Sequence, residues 1–525
     1  MGAKPMAKRT PKKKSDTQQE LAIEPGGSDE QMTLQQLERH LWGAADILRG
    51  SIDSGDFKHY IFGLLFFKRL SDVWMEEYEA NLEEFDGDEE EAADPDEHRF
   101  NIPKGCFWED VRKKSKDIGA ALNYAFTEIE NANLRLMSIF QDVDFANKER
   151  FPDATLERLL QHFDKHRLRQ SEVAADMLGN AYEYLIAQFA DDAGKKGGEF
   201  YTPQEVVKTM VECLRPEEGM EIYDPACGSG GMLLACQHYM GTHGKDARTL
   251  VLYGQEKNLN TWAICKMNLF LHDIDVQKDQ IARGDTLVSP QHVDEDKRLK
   301  TFDMVLANPP FSLSPWGHEV WSKGDAYGRD EYGCPPKSYG DLAFVQHMIA
   351  SIKDKGRMGV VVPHGVLFRG GAEGKIREGI LRADIVEGVI GLGPNLFYGT
   401  GIPAAILLIN KNKSKARKDK VLLINAAEEI VEGRNQNHLG EANITRIAKA
   451  FHAYKDVERF CRVVDLEELE KNEFNLNISR YVHTAEDEEE IDVKAEVAKL
   501  RKLVAERNAA EAKMDGFLKE LGYGS

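Results

Sequence analysis

The sequence predicts an α/β fold: an open, largely parallel sheet that gathers ligand-binding residues at the carboxyl ends of its strands. Met220 to Leu233 reads as a short strand, a glycine-rich turn and an apolar helical pattern. Two later apolar runs, beginning at Leu250 and at Ile281, end in the acids Glu256 and Asp285. The run Met304 to Ala307 reads as a buried strand that enters Asn308-Pro309-Pro310-Phe311 directly.

Each strand end suits a different part of a ligand. In the turn Asp224-Pro225-Ala226-Cys227-Gly228-Ser229-Gly230-Gly231, glycines let the backbone approach a bound molecule closely. The helix start beyond it favours a carboxylate. A nicotinamide dinucleotide site fits poorly, because its third glycine would stand where Leu233 is. A phosphate-binding P-loop also fails: Gly370 to Lys375 is one residue short and is followed by Ile376. Glu256, at the second strand tip, suits a ribose diol. Asp285, at the third, can accept from an adenine amino group.

The fourth strand end is the most specific. Two successive prolines continue neither a sheet ladder nor a helix interior, so the chain leaves the sheet stiff and extended. An exocyclic amine of a nucleobase is a poor nucleophile, since its lone pair is delocalised. The Asn308 side-chain oxygen and the Pro309 carbonyl can accept its two hydrogens and return density to nitrogen, an electrostatic contribution of the kind that dominates many active sites. Phe311 can stack on the base, a contact worth about 1–3 kcal/mol.

In combination, these residues resemble the S-adenosylmethionine-dependent amino-methyltransferases that act on DNA. Asp224 to Leu233 is similar to their cofactor loop, and Asn308 to Phe311 to their catalytic tetrapeptide in its adenine-N6 form. Glu199, Phe200, Tyr201, Thr202, Pro203 and Gln204 are similar to the segment closing over the methionine end of the cofactor. The resemblance is closer to the modification subunits of type I restriction–modification systems. It extends to Asp176-Met177-Leu178-Gly179-Asn180-Ala181-Tyr182-Glu183-Tyr184-Leu185 and to the helical stretch Leu37 to Trp74, and covers roughly residues 30 to 485. It implies a Rossmann-like methyltransferase sheet with an N-terminal helical domain and a C-terminal helical tail, S-adenosylmethionine as cofactor, and no metal.

The resemblance also implies methylation of adenine N6 in duplex DNA after base flipping. The expected partners are a specificity subunit, with two modification subunits per specificity subunit, and an ATP-dependent restriction subunit in the full complex. The residues leave other acceptors open: cytosine N4, an RNA adenine or a protein glutamine amide, with Asn308 disfavouring cytosine. A nucleic-acid-binding scaffold without activity is the alternative of another class.

Bulk properties set further bounds. The chain of 525 residues has room for about three domains. Its densest apolar run, Tyr60 to Phe67, is too short for a membrane span and reads as a buried core helix. A basic amino terminus without a following apolar stretch does not read as a signal peptide. Seven cysteines without a CxxC pair suit a reducing cytoplasm, and Cys227 reads as a small apolar filler. The net charge of −21 opposes phosphate binding, which relies on Lys and Arg. Ten acids between Glu83 and Glu97, and the run Glu486 to Glu490, concentrate part of that charge. A substrate other than DNA would also explain the charge; the resemblance implies instead a basic partner that supplies the remaining grip.

Along the chain, residues 1–28 read as a disordered basic and polar tail. A helical domain follows over 29–165, opening on a Thr33–Gln36 capping box, with Asp56 starting its second helix and an acidic loop near 80–100. Residues 166–425 form the methyltransferase domain, whose last two strands, Ile385 to Ile390 and Ala404 to Asn410, suggest an antiparallel pair. Its segment 312–340 mixes Trp316, Trp321, Tyr327, Tyr332 and Tyr339 with Lys323, Arg329 and Lys337, a composition suited to a DNA-facing loop, with a packed structural loop as the alternative. Residues 426–485 read as a mixed helical extension. The heptad-like stripe within 486–525 reads as a partner-binding helix, with packing on its own domain as the alternative.

Overall fold

Capping decides where the helical region begins. In a computed structural model, which describes residues 32–49, 57–141, 143–192, 202–397, 401, 403–433, 436–482 and 493–521, Thr33 starts α1 (Leu34–Leu48). Its hydroxyl accepts from Gln36 N, and Gln36 Oε1 accepts in return from Thr33 N at 2.8 Å. The basic tail, Asp56, Glu199, Phe200, Tyr201 and the run Glu486 to Glu490 lie outside the described residues.

The long α2 (Phe57–Glu84) buries Tyr60 to Phe67 without interruption, as an all-apolar stretch must when other helices surround it. The acidic stretch is partly helical rather than a loop. Residues 80–84 end α2, and Asp88 caps α3 (Glu89–Ala92) by accepting from Glu90 N and Glu91 N. Acids in a first helical turn complement the helix dipole, so charge density here favours helix starts. Then come α4 (Trp108–Arg112), α5 (Ile118–Ala132), α6 (Asp153–Phe163) and α7 (Ala175–Asp192). Buried Arg69 ties α2 to the chain ahead of α7 by donating to Leu168 O and Val173 O.

The sheet region opens with α8 (Gln204–Leu214) and continues as β1 (Glu221–Asp224), α9 (Gly231–Thr242), β2 (Val251–Glu256), α10 (Leu259–Leu271), β3 (Ile281–Arg283) and β4 (Phe302–Ala307). After α11 (His318–Trp321) and α12 (Asp341–Ala350) come β5 (Ile352–Pro363), α13 (Gly371–Arg382), β6 (Val386–Leu392), β7 (Ala404–Asn410) and β8 (Lys420–Ala426). The chain closes with α14 (Glu441–Ala453), β9 (Cys461–Asp465), α15 (Leu466–Lys471) and α16 (Val493–Glu520). Among the described residues these strands form one sheet in the order β3-β2-β1-β4-β5-β7-β6-β8-β9.

Strands β1 to β5 pair in parallel, and β7 runs antiparallel between β5 and β6, as expected for the last pair. Alternation splits β4 between two cores: Met304 and Leu306 face one, Val305 and Ala307 the other. The sheet also crosses residue 425. Within the mixed helical extension expected over 426–485, β9 pairs with β8 and so carries the sheet beyond the expected domain boundary. Val421 to Ile424 carries an apolar strand signature that the reading did not use.

Segment 312–340 is largely structural. Trp316, Trp321 and Arg329 are fully buried, and Arg329 pairs with Asp325 while donating to Thr286 O and Leu287 O at 2.9 Å each. These three therefore pack instead of facing DNA; Lys323, Lys337 and Tyr339 remain exposed. Helix α16 leaves Leu500, Leu503, Val504 and Met514 exposed, so these four do not pack on the rest of the described chain. No described helix is long and apolar enough to cross a membrane.

Candidate functional site

The site lies where the strand order reverses. The chain runs outward from β1 to β2 and β3, then returns to place β4 on the other side of β1. Such a switch point opens a crevice between two strand ends. Ile222 pairs with Met304 and Tyr223 with Val305, so the turn after Asp224 and the corner after Ala307 emerge side by side.

The glycine turn is braced on every side. Asp224 Oδ1 accepts from Ala226 N at 2.9 Å, and Cys227 N donates to Gln255 O at 3.1 Å. Gly230 has φ +87°, and a Cβ there would lie 3.0 Å from Cys265 Sγ, so both conformation and space require glycine. Ser229 O accepts from the buried Asn268 Nδ2 at 2.9 Å. Glu256 Oε2 accepts from Gly228 N at 3.1 Å, and its Oε1 from Asn258 N at 2.7 Å. Asp285 Oδ1 accepts from Leu287 N at 3.0 Å, while Oδ2 pairs with Lys257 at 2.8 Å.

The corner is held differently. Asn308 Nδ2 donates to Thr202 Oγ1 at 2.9 Å, which fixes the plane of the amide. Its Oδ1 is buried and has no hydrogen-bond partner among the described residues. Pro309 is buried, whereas Pro310 and Phe311 are partly exposed. Just beyond, Ser312 N donates to Asp341 Oδ1 at 2.7 Å, and Asp341 also pairs with Arg369 at 2.9 Å. The Phe311 ring meets Phe397 edge-on, with centroids 5.6 Å apart.

One cavity of about 1110 Å³ joins turn and corner. Its wall includes Thr202, Gln204, Asp224, Gly228, Gly231 and Asn308. Glu256 and Asp285 stand at the neighbouring strand tips, outside that wall. The segment bearing Glu199, Phe200 and Tyr201 precedes Thr202 outside the described residues.

Burial governs the charges here. It pushes the Asp224 carboxyl up to about 8 and also raises Glu256, whose backbone donors oppose the shift. The neighbouring Cys265 thiol and burial hold the Cys227 thiol well above its ordinary range, so Cys227 is no thiolate nucleophile. Among the described residues no three His, Cys, Asp or Glu side chains cluster to hold a metal.

Four residues of the site's surroundings escaped the sequence reading: Glu183, Asp341, Arg369 and Phe397. Glu183 had a visible signal, being the acid within the otherwise apolar run Ala181 to Leu185. The others lie 30 or more residues from the tetrapeptide, and no local pattern joins them to it.

Residues 173–490 match the N-6 DNA Methylase family, and residues 37–163 match the HsdM N-terminal domain. The type I restriction enzyme MjaVII methylase subunit of Methanocaldococcus jannaschii is 34% identical over 90% of this chain and 82% of its own length. The MpnII methylase subunit of Mycoplasma pneumoniae is 30% identical over 92% of this chain and 96% of its own. The crystal structure of the type I restriction–modification system methyltransferase subunit of Streptococcus thermophilus superposes with a TM-score of 0.77 at 33% identity, covering 86% of this chain and all of that one. With two adjoining domain matches and relatives of this extent, the chain belongs to the N-6 DNA methylase family, among the methylase subunits of type I restriction–modification systems.

Proposed function

We propose that this chain transfers a methyl group from S-adenosylmethionine to the N6 amine of an adenine flipped out of duplex DNA. The observation that carries the reading is the buried Oδ1 of Asn308, without a partner among the described residues, on the wall of the cavity that also holds the glycine turn. A buried acceptor left unpaired costs about 1–3 kcal/mol. An arriving amine N–H removes that cost.

The residues fit the donor. Gly228, Gly230 and Gly231 keep side chains out of the turn. Glu256 spends one lone pair of each oxygen on backbone N–H groups and keeps others for a ribose diol. Asp285 would share Oδ2 between Lys257 and the donor's adenine amine. Ala226, Cys227 and Ser229 shape the turn, and the segment Glu199 to Gln204 closes on the methionine end. When bound, the donor supplies a methyl group activated by a positive sulfur.

The corner prepares the acceptor. Asn308 Oδ1 and Pro309 O each accept one N–H of the amine, which turns its lone pair out of the ring and towards the donor. Thr202 keeps the Asn308 oxygen in place. Pro310 keeps the corner stiff, and Phe311 stacks on the flipped base once its contact with Phe397 yields.

A separate specificity subunit would read the DNA sequence, with two modification subunits per specificity subunit. An ATP-dependent restriction subunit would complete the complex in the cytoplasm. The charge of −21 supports a partner that supplies phosphate contacts, and the exposed apolar residues of α16 offer a face for one. The test is methylation of DNA by the assembled complex with a methyl-labelled donor, followed by nucleoside analysis. Label in N6-methyladenine is expected. Label in N4-methylcytosine, in RNA or in protein instead would overturn the assignment.

A further inference from the structure

Glu183 on α7 has no part in the chemistry above, yet it lines the same cavity. Its Oε2 accepts from Gln204 Nε2 at 2.7 Å, and the Asn268 side-chain amide is its second polar neighbour. Its Oε1 lies 4.0 Å from where a Cβ on Gly231 would be, beside the first residue of α9. Among the described residues it forms no ion pair, and no charged group tunes it. Burial instead pushes its carboxyl up to about 7.

Among the described residues, this carboxylate, partly withdrawn from water and with two amide neighbours, has no counter-ion. Helix capping does not account for it. Gly230 caps α9 without a side-chain bond, and Glu183 makes no hydrogen bond to an α9 backbone amide among the described residues. Asp224, the acid of the glycine turn on this wall, braces the Ala226 amide and is 1% exposed, and of the wall's acids only Glu183 comes within 4.0 Å of the Gly231 Cβ position. Asn268, fully buried behind the wall, is held by donating to Ser229 O and stands to Glu183 as a neutral donor. The uncompensated negative charge at Glu183 asks for a cationic donor group.

The methyl donor brings an ammonium and a carboxylate on one carbon. The first turn of α9 favours the carboxylate. The ammonium then falls to the neighbours of that turn, and Glu183 is the acid there. We propose that Glu183 is the receptor for the α-ammonium group of the donor, with Gln204 and Asn268 orienting its carboxylate; this rests on S-adenosylmethionine being the donor. It makes the amino-acid end of the donor, as well as its nucleoside, a determinant of affinity.

Isothermal titration of the full-length chain at pH 8 tests this with three probes. S-Adenosylmethionine and S-adenosylhomocysteine carry the ammonium; 5′-methylthioadenosine lacks the amino-acid group. Glu183→Gln should weaken the first two by about 10- to 100-fold, as for loss of a charge-assisted bond, and leave the third unchanged. Unchanged binding of the third probe also reports an intact fold. Gln204→Leu should show the same pattern with a smaller loss.

Loss for S-adenosylmethionine alone would place Glu183 at the sulfonium and overturn the proposal. Equal loss for all three probes, or no loss, would also overturn it while leaving the donor assignment standing. A wild-type chain that binds none of the three would remove the donor assignment as well.

Discussion

The two sides of the switch point are built by opposite rules. On the glycine-turn side, the acids at the strand tips are tied up. Glu256 accepts from two backbone amides, and Asp285 accepts from Leu287 N and pairs with Lys257. On the corner side, Asn308 is anchored through its nitrogen by Thr202, and its buried oxygen has no partner among the described residues. The first side is a preformed shape whose polar groups brace its own loops. The second carries an unmet hydrogen bond, which is useful where an acceptor must act only once the amine arrives.

Substitutions on the two sides should therefore fail differently. The largest effect is expected at the corner: Asn308→Ala should cut methyl transfer by about 10²–10³-fold, as removal of one preorganised polar contact does elsewhere. Donor affinity, measured by titration, should stay unchanged; comparable losses in rate and affinity would erase the distinction between the sides. Glu256→Ala comes next. It strands the part-buried Gly228 N at a cost of about 1–3 kcal/mol and leaves the exposed Asn258 N to water, so donor binding and the urea midpoint should fall together.

Asp285→Asn should be milder: the retained Oδ1 still caps Leu287 N, the chain's own contacts lose only the largely exposed Lys257 pair, worth less than about 1 kcal/mol, and the donor's adenine amine loses one shared acceptor. A drop in donor affinity as large as that of Glu256→Ala would show that the two acids are not braced alike. A last effect concerns pH in the ligand-free chain. Folding raises Glu183 from 4.5 to about 7, so the folded state favours its protonated form. That contribution is complete below pH 4.5 and is lost as pH rises through 7. Without ligand, Glu183→Gln should therefore match wild type below pH 4.5 and be at least as stable at pH 8. Urea midpoints across that range check the sign, and a variant less stable at pH 8 would reverse it.

The legible parts of the molecule were those with a local cause. The Thr33–Gln36 box, the buried run Tyr60 to Phe67 and the strand entering Asn308 each follow from a few adjacent residues. So does the paired arrangement of β6 and β7, from two apolar runs around a Gly/Pro-rich turn. What stayed hidden depends on chain brought from afar. Thr202 meets Asn308 across 106 positions, and Asp341 reaches back 29 positions to Ser312. The aromatic and basic composition of 312–340 looked suited to nucleic acid. Burial of Trp316, Trp321 and Arg329 shows that the same residue types also serve to fasten a long loop. Strand β9 was hidden for another reason: five residues with the partly exposed Arg462 and Val463 carry little periodic signal.

The central claim is that turn and corner face one reaction chamber. A crystal structure of the chain with S-adenosylhomocysteine measures this. The account predicts the nucleoside on the Glu256 side of the glycine turn and the sulfur facing Asn308 across the shared cavity. A ligand seated elsewhere, or a sulfur turned away from Asn308 with protein between them, would contradict it.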